Sequence, residues 1–355
     1  MKIEYIFAVF ALIGVADKIS GDHFKLGTEF EKGIMATGAL ILAMSGILVL
    51  SPIIASALTA VFKPVSELFR LDMSVIAGFF PNDGGGASIA YNISDDVLLR
   101  GYNGIIVGGT LGAGIVLIPM ALKMIDEKFH EDVLIGLLCG FATIPVGCII
   151  AGIFIGCNIG TLLLNSIPMI IISVLICVGL VFKPVLCRKI FKVFGSILLG
   201  IITAGLGIGI FHQLTGVELI PGMSPLEDTF LIIGNIAIIL SGVFPLLAII
   251  SRVFNKPFVK LGKVLKINSF SILGIITTLA NCIPMFDFIE KMDKKGRIMN
   301  MAFAVSAAYA LGDHLAFTIA FDRTFLLPMT IAKIVSGISA LVVAYFVADR
   351  KSQKI

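Results

Sequence analysis

The segment MSVIAGFFPNDGGGASIAYN, running from Met73 to Asn92, decides how this chain is read. Its two ends are apolar enough for a membrane segment, but Pro81-Asn82-Asp83-Gly84-Gly85-Gly86 interrupts the middle. Proline removes a backbone donor, and glycine lowers helix propensity. Inside hydrocarbon every backbone N–H and C=O needs a partner. A broken backbone survives at that depth only where protein covers it or water fills a cavity. A second apolar segment, Asn268–Ile289, breaks in the same way at Asn281-Cys282-Ile283-Pro284. Two such breaks predict a polar cavity near mid-membrane.

The rest of the chain fits that setting. Of its 355 residues, 58% are hydrophobic and 14% charged, against roughly 45–50% and 25% in a soluble domain. Mean hydropathy is +1.06. Apolar runs recur from Ile3 to Val347, which excludes a soluble domain with one anchor. A span needs about 20 apolar residues. Uninterrupted candidates are Ile3–Ala16, Gly33–Phe62, Val97–Leu122, Asp132–Gly156, Gly160–Phe182, Phe194–Phe211, Phe230–Ile250, Ile298–Phe321 and Phe325–Val347. The first loosely resembles a signal peptide, but the topology below uses it as a helix. The expected fold is all-α: a polytopic transmembrane helical bundle of about 9–11 membrane segments, forming one integral membrane transport domain over residues 1–355. Six cysteines lie in or beside apolar runs without a CxxC pair, so neither a disulfide framework nor a zinc site is suggested.

The net charge of +4 sits in loops and reports topology rather than nucleic-acid binding. Lysine and arginine accumulate on the cytoplasmic side. The loops after Phe182 and Ile250 are rich in both, whereas His212 to Asp228 has neither. If Met73–Asn92 and Asn268–Ile289 are re-entrant hairpins, the pattern holds along the whole chain. Lys18, Lys25, Lys32, Lys123, Lys128 and the cluster Lys291 to Arg297 then lie inside. The N-terminus, Lys63, Arg70, Asp95, Asp96 and Arg323 lie outside. That makes nine crossings and two hairpins, the first entering from outside and the second from inside.

The chain also echoes itself. Gly38-Ala39-Leu40-Ile41-Leu42-Ala43-Met44-Ser45-Gly46 resembles Gly234-Asn235-Ile236-Ala237-Ile238-Ile239-Leu240-Ser241-Gly242. Asn82 and Asn281, then Leu111-Gly112 and Leu311-Gly312, follow at nearly the same spacing. This predicts inverted repeats over residues 1–156 and 193–350, joined by the helix 160–182. Inverted repeats with broken helices are a recurring plan of secondary transporters, with substrate bound between the halves.

Ionisable groups within membrane segments are costly and therefore candidates for function. Asp83 sits in the first break beside Asn82, and Gly84 and Gly85 can let backbone approach a ligand closely. Asp313-His314 lies deep in the span Ile298–Phe321, and His314 could orient Asp313, pair with another helix or relay protons. A buried pair that locks helix packing is the competing reading. Asn281 offers a donor and an acceptor, or a cap for a half-helix. Phe80 is an aromatic face at the break, where a cation could bind. Asp287 and Glu290 share a face near lysines and read as a solvated surface. Arg100 and Lys333 receive no role. Acidic cavity residues favour a cationic substrate or cation coupling.

Four stretches resemble the ethanolamine-utilisation permease family of the EutH type: Gly33 to Leu40, Asn82 to Gly86, Ala280 to Phe286 and Leu311 to Phe317. The chain departs from the family pattern at Cys282, where a second asparagine is expected, and at Ala87, where an aromatic is expected. The resemblance implies uptake of ethanolamine across the bacterial cytoplasmic (inner) membrane by facilitated or secondary transport. It implies ethanolamine and membrane lipid as partners, no nucleic acid, no cofactor and no metal, and leaves a homo-oligomer open. Asp83 would hold the ammonium, Asn82 and Asn281 the hydroxyl or backbone, and Asp313-His314 a gate or second-helix contact. The alternatives are an ion-coupled carrier of another small polar solute and a membrane sensor or scaffold for ethanolamine catabolism. An enzyme is disfavoured: Asp313 lacks the Gly-x-Gly-Asp setting of intramembrane aspartyl proteases, and His130-Glu131 is not followed by the second histidine of His-Glu-x-x-His.

Overall fold

A computed structural model describes residues 3–253 and 255–352. With no water to satisfy backbone groups, an apolar chain must close its hydrogen bonds internally, and helices do so within one segment. The described residues accordingly form helices and short connections, with no strand. In chain order the helices are α1 (Ile3–Ile19), α2 (Leu26–Phe69), α3 (Ala87–Ile93), α4 (Val97–Met124), α5 (His130–Phe154), α6 (Ile159–Phe182) and α7 (Pro184–Thr215). They continue with α8 (Leu226–Val253), α9 (Asn255–Leu265), α10 (Ser269–Ala280), α11 (Ile283–Phe288), α12 (Lys294–Ala307), α13 (Asp313–Phe321) and α14 (Leu326–Ser352).

Seven stretches are long and apolar enough to cross a membrane. They carry α2, α4, α5, α6, α7, α8 and α14. α1 has 17 residues, and α2 has 44. At 1.5 Å per residue α2 is about 66 Å long, roughly twice the hydrocarbon thickness. It carries Pro52 and Pro64 within it. Along the outer face of α6, Leu163, Ile167, Ile171, Val174 and Val178 are exposed at helical spacing, as a lipid-facing stripe requires.

Both expected breaks are present, and each hairpin returns to the end it left. At the first, Ser94 Oγ donates to Asp72 at 2.7 Å. At the second, Asn268 donates from its backbone to Asp293 at 2.8 Å and from its amide to the Lys291 carbonyl at 2.8 Å. The span expected as continuous over Ile298–Phe321 is broken as well, into α12 and α13. No proline marks that break. Instead Tyr309 takes a left-handed backbone (φ 62°), and Tyr309 and Leu311 donate their amides to the Thr278 and Leu279 carbonyls at 3.0 and 2.8 Å. Those carbonyls are freed where α10 ends, so one break supplies partners for the other. The lysine-rich stretch after Ile250, expected as loop, contains the short helix α9.

Side-chain contacts sort the connections onto two ends. On one end Lys18 pairs with Glu31 (2.8 Å), Arg252 donates to the Phe24 carbonyl (2.6 Å), Lys128 pairs with Glu290 (3.4 Å), Arg297 with Asp132 (2.8 Å) and Lys295 with Asp349 (2.7 Å). On the other, Arg323 pairs with Glu4 (2.7 Å), and Asn165 accepts from the Asp72 amide (2.7 Å). Each grouping brings together connections that the charge pattern puts on one side.

Glycines set the closest helix crossings. A Cβ on Gly46 would lie 1.7 Å from the Ile202 carbonyl oxygen, so α2 and α7 touch backbone to backbone. A Cβ on Gly242 would lie 2.1 Å from the Phe7 carbonyl oxygen, so α8 meets α1 in the same way. Gly112 and Gly312 behave alike one level deeper, against the carbonyls of Phe80 and Ala280.

Candidate functional site

The first break begins where Phe80 and Pro81 take extended backbone. Gly85 follows at φ 102°, over the Ile47 side chain, in a conformation that other residues resist. This turn presents Asp83 beside the first turn of α13, where His314 Nε2 lies 3.6 Å from Asp83 Oδ1. The Tyr309 ring stacks on His314 with centroids 5.3 Å apart, and Cys282 Sγ lies 3.1 Å from the Tyr309 hydroxyl. All three breaks therefore meet. Asn281, which ends α10, accepts from the Ile283 amide at the start of α11 at 2.8 Å.

Asp83, Gly84, Asn281, Asp313 and His314 line one cavity of about 600 Å³. Its wall continues along Leu40, Ala36 and Lys32 of α2 and along Leu117 and Met120 of α4, toward the lysine-rich end of the bundle. At the end of the bundle that holds Arg323, Tyr91, from α3, donates to Asp322 at 2.5 Å, packs edge-on against Phe321 and lies under the Arg100 guanidinium at 4.4 Å.

Three residues expected at the site lie elsewhere. Phe80 packs against Phe194, with centroids 6.3 Å apart. Gly85 is buried over Ile47. Asn82 is fully buried near Gly109, and neither of its side-chain atoms has a hydrogen-bond partner among the described residues. Asp287 is exposed, and Glu290 pairs with Lys128, as a solvated surface would have it. Sequence reasoning missed Tyr309, the Tyr91–Asp322–Arg100 cluster and Lys333. Lys333 carried the clearest signal, as a lone charge in an apolar span.

A polytopic helical bundle whose broken helices surround a polar cavity open at one end is the build of a membrane transport protein. The family described as "Ethanolamine utilisation protein, EutH" matches residues 2–347. The chain belongs to this EutH family. It is 40% identical to the probable ethanolamine permease EutH of Listeria monocytogenes, covering 99% of this chain and 95% of the relative. It is 36% identical to the protein of the same name in Escherichia coli, over 98% and 95%. An uncharacterized protein, YxeR, of Bacillus subtilis is 33% identical over 99% and 96%. No solved structure gives a significant match.

Proposed function

We propose that this chain carries ethanolamine, as its ammonium ion, across the bacterial cytoplasmic membrane, and that it is a transporter rather than an enzyme. The observation that carries this is the convergence of Asp83, Asp313, His314 and Asn281, drawn from separate breaks, on one cavity. A primary ammonium donates three hydrogen bonds and bears one charge. Two carboxylates and an amide oxygen offer it charge-assisted partners. Asp83 and Asp313 bind the ammonium, Asn281 takes the hydroxyl, and His314 holds Asp83 in place.

The cavity faces the cytoplasm, and Tyr91 with Asp322 closes the outer path. Transport then alternates this state with one in which the outer closure parts and the inner path shuts. Two inverted repeats, 1–156 and 193–350, supply the moving halves. Support comes from matched packing: Gly46 against Ile202 and Gly242 against Phe7, Gly112 against Phe80 and Gly312 against Ala280. Each pair occupies corresponding places in the two halves.

Uptake of labelled ethanolamine into proteoliposomes tests the reading. Hydrogen bonds to charged groups contribute about 1.5–3 kcal/mol, so Asp83→Asn lowers uptake at limiting substrate by roughly 10- to 100-fold. The variant should still elute as folded protein on size exclusion. Unchanged uptake removes Asp83 from the site.

A further inference from the structure

Lys333, on α14, is fully buried. Its ammonium donates to three backbone carbonyls: Gly109 at 2.5 Å, Ala308 at 2.9 Å and Ser306 at 3.0 Å. Among the described residues no carboxylate lies within ion-pair distance of it. An ammonium has three donors, so this cradle satisfies all of them.

The origin of the carbonyls gives the cradle its meaning. Ser306 and Ala308 stand at the C-terminal end of α12, where the helix breaks. A helix C-terminus carries partial negative charge and favours a cation. Gly109 lies in the wide-turned, glycine-rich stretch of α4, Tyr102–Gly112. In secondary transporters with broken helices, carbonyls of half-helix ends and unwound backbone are the groups that coordinate a coupling cation. Ala308 also lines the cavity that holds Asp83 and Asp313. The lysine therefore sits beside the substrate site, in a seat built for a monovalent cation, and ties α14 to α4 and α12.

We infer that the Lys333 ammonium is a built-in substitute for a coupling ion. It fills a carbonyl-lined cation site next to the cavity, and the site accepts a free alkali cation once the side chain is removed. The native protein then needs no sodium, because its cation is covalently attached. The inference rests on the transport reading for its uptake arm and on cation binding alone for its second arm.

The test uses the full chain, purified and reconstituted, with Lys333→Ala, Lys333→Met and the parent compared. Labelled ethanolamine uptake is measured in N-methylglucamine buffer and with sodium, lithium or potassium chloride. Parent uptake should be the same with and without sodium. Lys333→Ala should fall at least about tenfold without alkali cations, a loss of the size that removing a charged hydrogen bond brings, and recover as sodium is added. Lys333→Met fills the space without a charge and should stay low in every buffer. The second arm needs no transport: the thermal midpoint of Lys333→Ala in detergent should rise with sodium, while the parent's does not. If Lys333→Ala is not recovered folded, Lys333→Ser, which empties the same space, carries the same comparisons. Sodium-dependent parent uptake, sodium-free activity in Lys333→Ala, or a thermal midpoint blind to every alkali cation each overturns the inference. Absence of ethanolamine uptake in the parent itself would instead sink the transport reading and leave the thermal arm to decide.

Discussion

Asp83 and His314 come from segments far apart in sequence, yet lie 3.6 Å apart in the wall of one cavity. Asp83 was legible because proline and three glycines announce a break around it, and an acid in a break is hard to explain otherwise. Tyr309 was not, since its break contains no proline and depends on carbonyls offered by α10, which no local pattern encodes. Phe80 failed for a related reason: adjacency to a break does not say which way a ring points, and this one faces Phe194. Asp17 gives a residue-scale prediction outside the site. Its buried carboxylate accepts the amides of Phe24, Leu26 and Gly27 at 3.0, 2.8 and 3.3 Å, closing the turn between α1 and α2. Asp17→Ala leaves those donors without partners and should cost about 2–3 kcal/mol, read as a lower thermal midpoint in detergent. An unchanged midpoint would mean water takes over the turn.

At the scale of elements, helix crossings decide what the sequence tolerates. Gly46 and Gly38 lie on the same helix, but a Cβ would strike the α7 backbone at Gly46 and meet nothing at Gly38. Gly46→Ala should therefore destabilise by about 1–3 kcal/mol, the usual size of overpacking, whereas Gly38→Ala should be neutral or slightly stabilising. Thermal unfolding of the two variants side by side checks this. The same contrast should recur between Gly242→Ala and Gly234→Ala, because α8 meets α1 as α2 meets α7. A repeat of small apolar residues could be seen in the sequence, but its packing partners could not. The broken span Ile298–Phe321 shows the limit: composition alone reads α12 and α13 as one helix, and only the neighbouring α10 explains why they are two.

For the molecule as a whole, charge told most. Loop lysines and arginines give most connections a side, and the ion pairs at the two ends of the bundle join connections that share one. What charge could not give is the contact of Tyr91 with Asp322, which the proposed transport cycle takes as the outer closure. Replacing both with cysteine and bridging them with a short thiol cross-linker that reductant cleaves should hold that end shut, stopping uptake until reductant is added. Of the native cysteines, Cys139, Cys148, Cys157 and Cys282 are buried and two are half-buried, so their reaction can be followed separately. Uptake that continues through the cross-link would place the substrate path elsewhere.

Equilibrium binding of labelled ethanolamine to the purified protein, with parent, Asp83→Asn and Asp313→Asn side by side, tests most directly whether the three breaks form the substrate site. Saturable binding by the parent, weakened by at least about tenfold in each variant, is the predicted result. Equal binding by all three proteins would contradict it.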